Sequence, residues 1–300
     1  MKSNFKFLPH MTMILSSAIF GLSFLFTKRA LTVAAPLQIV SFRFLLAFIV
    51  MSILVLLRII KVDYKNKPIK WLVILSLFEP VIYFIFETYG LKFASSSIGG
   101  LMISLIPIAV TILGIYFLNE VPSLKRSIFI GISVLGVIII ALFGSSDGGN
   151  GTSLWGILLL IGAVVSAGFF TITSRKISKA FTPLEITYFM MFLGTLCFNI
   201  MNLIQMGTEG NLKDYFKPLA SATFIESMVY LAILSSIIAY FLVNFSLSKL
   251  EASIASVFSN ISTIVSIIAG VVLLGESFHY YHLIGSALIL IGVWGTNSNK

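Results

Sequence analysis

The chain contains the stretch FLNEVPSLKRSIFIGISVLGV at Phe117–Val137 and a related stretch, LLGESFHYYHLIGSALILIGV, at Leu273–Val293. When the two are aligned, Glu120 matches Glu276, and the Gly-Val pair that ends the first stretch matches the pair that ends the second. The offset between them is 156 residues in a chain of 300. The two stretches therefore predict that the chain is built from two copies of one unit.

Matches elsewhere extend this repeat over nearly the whole chain. The offset varies from 147 to 157 residues, which indicates that loops differ in length between the copies. We predict one repeat at residues 10–143 and the other at residues 153–296. The further matching pairs are Gly21 with Gly168, Lys28 with Arg175, Pro36 with Pro183 and Tyr83 with Tyr240.

The composition is typical of a protein that lies within a lipid bilayer. Hydrophobic residues make up 58% of the chain and charged residues 10%, whereas a soluble domain has about 45–50% and about 25%. The mean hydropathy is +1.05. A helix needs about 20 residues to cross the hydrocarbon core, and it satisfies its own backbone groups. Apolar runs predict ten such helices, at 10–27, 36–60, 70–91, 94–118, 124–143, 153–174, 183–205, 224–247, 252–274 and 280–296.

The number of predicted helices sets the relative orientation of the two repeats. Each repeat holds five helices, and an odd number starts the second copy on the opposite side of the membrane. The predicted fold class is therefore an all-α integral membrane protein with ten transmembrane helices in two inverted five-helix repeats. Inverted repeats are common in secondary transporters, where the substrate site lies near the midplane between them.

The positions of lysine and arginine predict the topology. With these helices, 14 of the 20 Lys and Arg residues fall on the side of the two termini and five on the other side. This bias predicts that both termini are cytoplasmic and that the protein lies in the cell membrane. It also explains the net charge of +9 by topology and attraction to lipid head groups, which argues against a nucleic-acid partner. The single Cys197 excludes an internal disulfide and a cysteine metal cluster.

These features together resemble the EamA repeat of the drug/metabolite transporter superfamily. The resemblance rests on the Asn-Glu and Gly-Glu endings of the fourth and ninth predicted helices, each followed by a short break and a Gly-rich helix. The stretch FGLSFLFTK at 20–28 and the pair Pro36 and Arg43 add to it, so that it covers residues 10–296. It implies ten helices, a central cavity between the halves, alternating access and export of small metabolites, but no single substrate.

Charged residues inside the predicted helices are the first candidates for function, because each costs about 2.5–3.5 kcal/mol on insertion scales. Glu79 lies deep in the third predicted helix beside Pro80, and steps of four residues place Tyr83 and Glu87 on the same face. An apolar environment would disfavour the ionised carboxylate, so Glu79 could load and release a proton. The open alternatives for Glu79 are a static ion pair with Arg43 and a carboxyl that stays protonated.

The repeat alignment adds residues of the eighth predicted helix to the candidate site. It pairs Tyr83 with Tyr240, and Glu87 with Asn244. An acidic face would then oppose a neutral polar face, which suits a cationic or amine-bearing substrate. The predicted substrate-binding residues are Glu79, Tyr83, Glu87, Tyr240, Asn244 and Asn260.

Asn260 has two interpretations. It forms a polar stripe with Ser256 and Thr263 along the ninth predicted helix, and this stripe could line the cavity or join helices by hydrogen bonds. Arg43 is the only base that lies deep inside a predicted helix and not near its ends. It is the predicted supporting charge partner of Glu79 or Glu87, with a substrate carboxylate as its alternative partner.

Glu120 and Glu276, the matched acids of the repeat, are predicted to be structural. Each lies just before a predicted helix, where a carboxylate can cap the free N–H groups at the start of the helix that follows. Glu276 also precedes His279 and His282 at steps of three, but three ligands with this spacing converge poorly on one ion. We therefore expect no metal and no other cofactor.

The predicted function is a secondary transporter that exports small metabolites, either amino acids or amine and cationic compounds, by alternating access. Proton coupling is one mechanism, and uniport or exchange without protons is the alternative. An integral-membrane enzyme such as a lipid-modifying transferase is disfavoured, because no His or Asp lies near Glu79 in sequence to complete a catalytic cluster. The expected partners are a small-molecule substrate, membrane lipids and, in the coupled case, protons; the oligomeric state stays open.

Overall fold

The structure is a computed structural model that describes residues 7–118, 123–144 and 153–297. Its helices form ten segments, and every regular element in the described ranges is helical. The first five are α1 (Leu8–Leu31), α2 (Pro36–Leu56), α3 (Ile69–Phe93), α4 (Ser96–Ile103 and Ile106–Leu118) and α5 (Leu124–Gly144). The second five are α6 (Leu154–Ile177), α7 (Pro183–Thr208), α8 (Ala222–Lys249), α9 (Ala252–Val257 and Ser259–Leu274) and α10 (Tyr280–Asn297).

Eight of these segments are long and apolar enough to cross a membrane. The apolar parts of α5 and α10 are shorter, at Ser127–Ile140 and Tyr280–Gly295. The prediction of an all-α membrane protein is thus confirmed for the described residues, whereas a count of ten spans stays a prediction. The predicted end of the second helix at residue 60 was wrong, because α2 ends at Leu56 and Arg58 takes a left-handed φ of 58°, a conformation that ends helices.

α3 and α8 are each interrupted by a wider helical turn. In α3 the π-helical turn spans Leu77–Ile82, and inside it Glu79 has the non-helical angles φ −143° and ψ 113°. Pro80 has no N–H to donate, so it cannot continue the helical ladder. The Ser166 hydroxyl of α6 donates to the Phe78 carbonyl across 2.6 Å, which supplies a partner at the break. In α8 the equivalent turn spans Tyr230–Ala239.

The helices pack by close backbone approach. α1 lies against α8 and α9, α6 lies against α3 and α4, and the pairs α2–α7, α4–α9 and α5–α10 complete the bundle. Small residues make these contacts possible, since lipid provides no hydrophobic drive between helices. A Cβ at Gly21 of α1, for example, would lie 2.7 Å from the Ser262 carbonyl oxygen of α9.

Two basic side chains close the ends of α3 and α8. Lys28 of α1 donates to the carbonyls of Leu91 and Ala94, each across 2.8 Å, where α3 ends. Arg175 of α6 donates to the Leu247 carbonyl of α8 across 2.9 Å. These last-turn carbonyls have no partner within their own helix, so the two cations satisfy backbone groups that would otherwise be exposed to an apolar environment.

We predict that Gly21→Ala lowers the free energy of unfolding by about 1–3 kcal/mol, because the new Cβ has no room against α9. The added atom would also lie 2.7 Å from the Cβ of Val265. The measurement is unfolding of the purified protein in mixed micelles. Gly131→Ala in α5 is the matched control, since nothing lies within 4 Å of its Cβ position and alanine favours helix by up to about 1 kcal/mol. Equal stability of the two variants would contradict the close approach of α1 and α9.

Candidate functional site

A cavity of about 90 Å³ lies among α1, α2, α3, α4, α6, α8 and α9, and its wall is mostly apolar. Three charged side chains nevertheless line it: Arg43, Glu79 and Glu87. All three are almost completely buried. Because buried charges are costly and need partners, the contacts of these three groups decide what the cavity can bind.

Glu79 lies where the helical geometry of α3 is broken, and its carboxyl reaches α8. The Tyr240 hydroxyl donates a hydrogen bond to its Oε1. Its other oxygen, Oε2, is buried without a hydrogen-bond partner in the described part of the chain. Glu79 therefore offers one acceptor atom at the cavity that no group of the described residues satisfies.

Tyr83 and Glu87 follow Glu79 along the same wall of the cavity, as their spacing of four residues predicts. The Glu87 side chain is 1% exposed, and its Oε2 accepts a hydrogen bond from Thr88 across 3.1 Å. The candidate acids of α3 and the candidate tyrosines Tyr83 and Tyr240 thus meet at one cavity.

Arg43 is held by α8 and not by an acid. Its Nε donates to Ser236 and its Nη2 donates to Ser235, each across 2.8 Å. The guanidinium also lies 4.2 Å from the centroid of the Phe84 ring. The ion pairs found within the described residues join Arg29 to Glu226, Lys67 to Glu185 and Lys217 to Asp214.

The alternative of a direct Arg43–Glu79 bridge was therefore wrong. The wide turn of α8 presents two consecutive hydroxyls to the guanidinium, and these satisfy its donors away from the carboxylates. Sequence reasoning missed Ser235 and Ser236 as partners. The signal that could have found them is the repeat alignment, which places Ser236 opposite Glu79.

Asn244 joins helices and does not lie on the cavity wall. Its Oδ1 accepts from Ser174 of α6 across 2.8 Å, and its Nδ2 donates to Thr187 of α7 across 3.1 Å. The side chain is 0% exposed. The prediction that Asn244 binds substrate is corrected accordingly, because both ends of its amide are used between helices.

Asn260 also lies outside the group of residues that line the cavity. The residues that α9 contributes to the wall include Ser256, Ser259 and Ser262, and Thr263 instead donates to the Gly100 carbonyl of α4 across 2.8 Å. Of the predicted stripe, Ser256 therefore lines the cavity and Thr263 joins two helices, whereas a binding role for Asn260 stays a prediction. α9 is interrupted at Phe258, between Ala252–Val257 and Ser259–Leu274. The interruption changes which residues share a face.

Glu276 caps a helix, but not the one that follows it. Its carboxylate accepts from the backbone N–H groups of Ser96 and Ser97 across 2.6 and 2.9 Å, and from the Ser97 hydroxyl across 2.6 Å. Those groups begin α4, in the other half of the chain. The tertiary packing of α9 on α4 decides this partner, which sequence adjacency could not predict. Glu120 lies outside the described residues.

The described residues contain no group of three or more His, Cys, Asp or Glu side chains placed to hold a metal ion. The chemistry that this cavity offers is therefore that of its carboxyls, hydroxyls, guanidinium and aromatic rings. These groups can bind a small molecule and exchange a proton.

Comparison with known proteins gives consistent results across the whole chain. The sequence profile described as the EamA-like transporter family matches residues 8–142 and again residues 154–298. A solved crystal structure of a protein that is 18% identical aligns with 96% of this chain and 95% of the other, with a TM-score of 0.66. At this level of identity the alignment shows the fold alone.

Relatives found by sequence are named as transporters. The uncharacterized transporter YcxC of Bacillus subtilis is 38% identical, over 95% of this chain and 91% of its own length. An uncharacterized transporter of Archaeoglobus fulgidus is 29% identical, over 93% of this chain and 95% of its own length. The S-adenosylmethionine/S-adenosylhomocysteine transporter of Chlamydia muridarum is 26% identical, over 88% of this chain and 83% of its own length.

We predict that Asn244→Ala lowers the free energy of unfolding by about 1–2 kcal/mol, because it removes hydrogen bonds to both α6 and α7, each worth about 0.6 kcal/mol or more in a membrane protein. The measurement is thermal unfolding in detergent. Asn211→Ala, in the exposed segment after α7, is the control and should leave the melting temperature unchanged. An unchanged melting temperature for Asn244→Ala would contradict the structural role.

Proposed function

The chain belongs to the EamA-like transporter family, and from that premise we propose that it exports small cationic or amine-bearing metabolites by alternating access, in exchange for protons. Its family and the names of its relatives indicate that it is a membrane transporter and not an enzyme. The relative from Chlamydia muridarum, by its name, supports a small metabolite as the cargo. The finer claims on substrate class, direction and coupling are our proposal.

The architecture we propose is a pair of inverted repeats that rock around the central cavity. The two segments that match the family profile, 8–142 and 154–298, coincide closely with the predicted repeats. The pairings α2–α7, α4–α9 and α5–α10 join equivalent helices of the two halves. The wide turns of α3 and α8 and the contacts of Lys28 with Leu91 and of Arg175 with Leu247 recur at equivalent places. These correspondences support the repeat.

The observation that carries the proposed coupling is the unpartnered Oε2 of Glu79 at the cavity. A buried carboxylate with an unsatisfied oxygen is costly. Either a proton or a bound cation removes that cost. One carboxyl cannot bind both tightly at the same time, so the proton and the cation compete for it. Glu79 would therefore release its proton when the cationic substrate binds and take up a proton after the substrate leaves. This competition is the basis of exchange.

The Tyr240 hydroxyl links this chemistry to the movement of the two halves. It belongs to α8, whereas Glu79 belongs to α3, so their hydrogen bond joins equivalent helices of the proposed repeats. A change in the protonation of Glu79 alters the strength of that bond, since a charged acceptor binds a hydroxyl donor more strongly. We propose that the two halves move relative to each other as this bond changes.

We predict that Glu79→Gln abolishes proton movement coupled to substrate, because glutamine keeps the shape and the acceptor for Tyr240 but cannot exchange a proton. The measurement uses the full chain in proteoliposomes with an internal pH dye, first screened against amino acids, polyamines and lipophilic cations. The variant should fold and elute as wild type does, with proton flux reduced to the level of empty liposomes.

Glu209→Gln is the matched control, since Glu209 is an exposed acid at the end of α7, and its coupled flux should equal that of wild type. Normal transport with unchanged pH dependence in Glu79→Gln would overturn the proton coupling. Saturable substrate movement without proton flux in the wild type would instead establish a uniporter or exchanger.

We also predict that the loops before α3 and after α7 lie on opposite sides of the membrane, because five helices, α3 to α7, separate them. In a Cys197→Ser background, Lys213→Cys should react with a membrane-impermeant maleimide in intact cells. Lys65→Cys should react only after the cells are permeabilised, as expected if the termini are cytoplasmic. The reverse pattern would invert the proposed topology, and reaction of both residues from the same side would mean that one of the five helices, such as the shorter α5, does not cross.

A further inference from the structure

Four aromatic side chains from four helices meet at the cavity. The ring of Tyr240 on α8 lies 5.2 Å from that of Phe20 on α1, 6.0 Å from that of Phe170 on α6 and 6.4 Å from that of Phe84 on α3, between centroids. All four line the cavity wall. The same Tyr240 donates a hydrogen bond from its hydroxyl to Glu79, so the aromatic cluster and the carboxyl that has one unpartnered oxygen share one cavity.

We propose that this site selects an alkylated onium group, a quaternary ammonium or a sulfonium, on a small organic cation, with Glu79 as its counter-ion. This inference rests on the proposed function, because it names the head group of the transported cation. Aromatic rings attract such cations through their quadrupoles, and the attraction is largest where water is excluded. The alkyl groups also bury apolar surface against the rings.

The mostly apolar wall of the cavity favours an alkylated cation over a primary ammonium. A primary ammonium carries three N–H donors, and each donor left unpaired in a buried site is costly. The hydroxyls of Ser23, Thr171 and Ser259 on the wall donate to carbonyls of their own helices across 2.7–2.8 Å, so each has only its remaining lone pairs to offer a ligand. An onium group with no N–H leaves no donor unsatisfied on this mostly apolar wall.

The charges at the cavity favour a ligand with a single positive charge. Glu79 and Glu87 face one guanidinium, that of Arg43, which leaves one negative charge when both acids are ionised. Arg43 is fixed by Ser235 and Ser236 and lies over the Phe84 ring at 4.2 Å. Phe84 is thus already engaged by a cation. Of the four rings of the cluster, those of Phe20, Phe170 and Tyr240 are left for a ligand.

The small volume of the cavity also favours a compact cationic head group. Its volume of about 90 Å³ is well below the roughly 300–1,000 Å³ of pockets that enclose drug-sized molecules. This space suits a compact onium head group and excludes a large aromatic one. The lining therefore specifies a head group by charge, by alkylation and by size.

The test measures binding of three probes of similar shape to the full-length protein in nanodiscs by isothermal titration calorimetry. Choline carries a quaternary ammonium, ethanolamine carries a primary ammonium on the same hydroxyethyl group, and 3,3-dimethyl-1-butanol is the neutral carbon analogue of choline. We expect choline to bind about 10-fold more tightly than ethanolamine or better, and the neutral alcohol to show no saturable binding, as a cation–π contribution of this order implies.

The ring contribution is tested with Phe170→Leu, which keeps an apolar side chain but removes the aromatic face. We expect it to weaken choline binding by about 5- to 30-fold and to weaken ethanolamine binding less, because a primary ammonium has no alkyl groups on nitrogen to bury against the ring. Phe192→Leu is the matched control, since Phe192 of α7 is exposed and does not line the cavity. Phe20→Leu is the second variant at the cavity, and it replaces Phe170→Leu if that protein fails to fold.

The outcomes separate this inference from the proposed function. Equal affinity for choline and ethanolamine, or choline binding that both cavity variants leave unchanged, overturns selection of an onium group but leaves cation export standing. Binding of neither cation at tens of millimolar also overturns it. If, in addition, proteoliposomes move only neutral or anionic metabolites, the proposed cation exporter fails as well.

Discussion

The hydrogen bond from the Tyr240 hydroxyl to the Glu79 carboxyl joins α8 to α3 inside a mostly apolar bundle. Glu79 could not occupy this position without such a partner, because an isolated carboxyl in an apolar interior is strongly disfavoured. The wide turn of α3 contains Glu79, and that of α8 ends directly before Tyr240. The break in helical geometry, the buried acid and the aromatic cluster are therefore parts of one arrangement.

Three other charged side chains, the buried Arg43 and the half-buried Lys28 and Glu276, are satisfied in ways that bind helices together. Arg43 uses two serine hydroxyls, Lys28 uses carbonyls at the end of α3, and Glu276 uses N–H groups at the start of α4. Glu79 differs, because one of its oxygens has no partner in the described residues. That difference leaves Glu79 with capacity for a proton or a ligand.

Local periodicity accounts for the part of the site that could be predicted. Glu79, Tyr83 and Glu87 share a face because helical spacing survives the wide turn of α3 well enough to keep all three on the cavity wall. Tyr240 was found through the repeat. Asn260 could not be placed in the same way, because an interruption at Phe258 changes which residues of α9 face the cavity. Asn244 was misplaced because its neighbours on α6 and α7 are distant in sequence.

By itself, the sequence determined the all-helical membrane class, the approximate ends of the helices and the acidic residues that are candidates for the site. These follow from hydropathy and spacing along the chain, which are local properties. The tertiary structure alone decided that Arg43 bonds to serines and not to Glu79, that Glu276 caps α4 and that Phe20, Phe84 and Phe170 gather around Tyr240. These partners come from different helices, and only the packing of the bundle brings them within bonding distance.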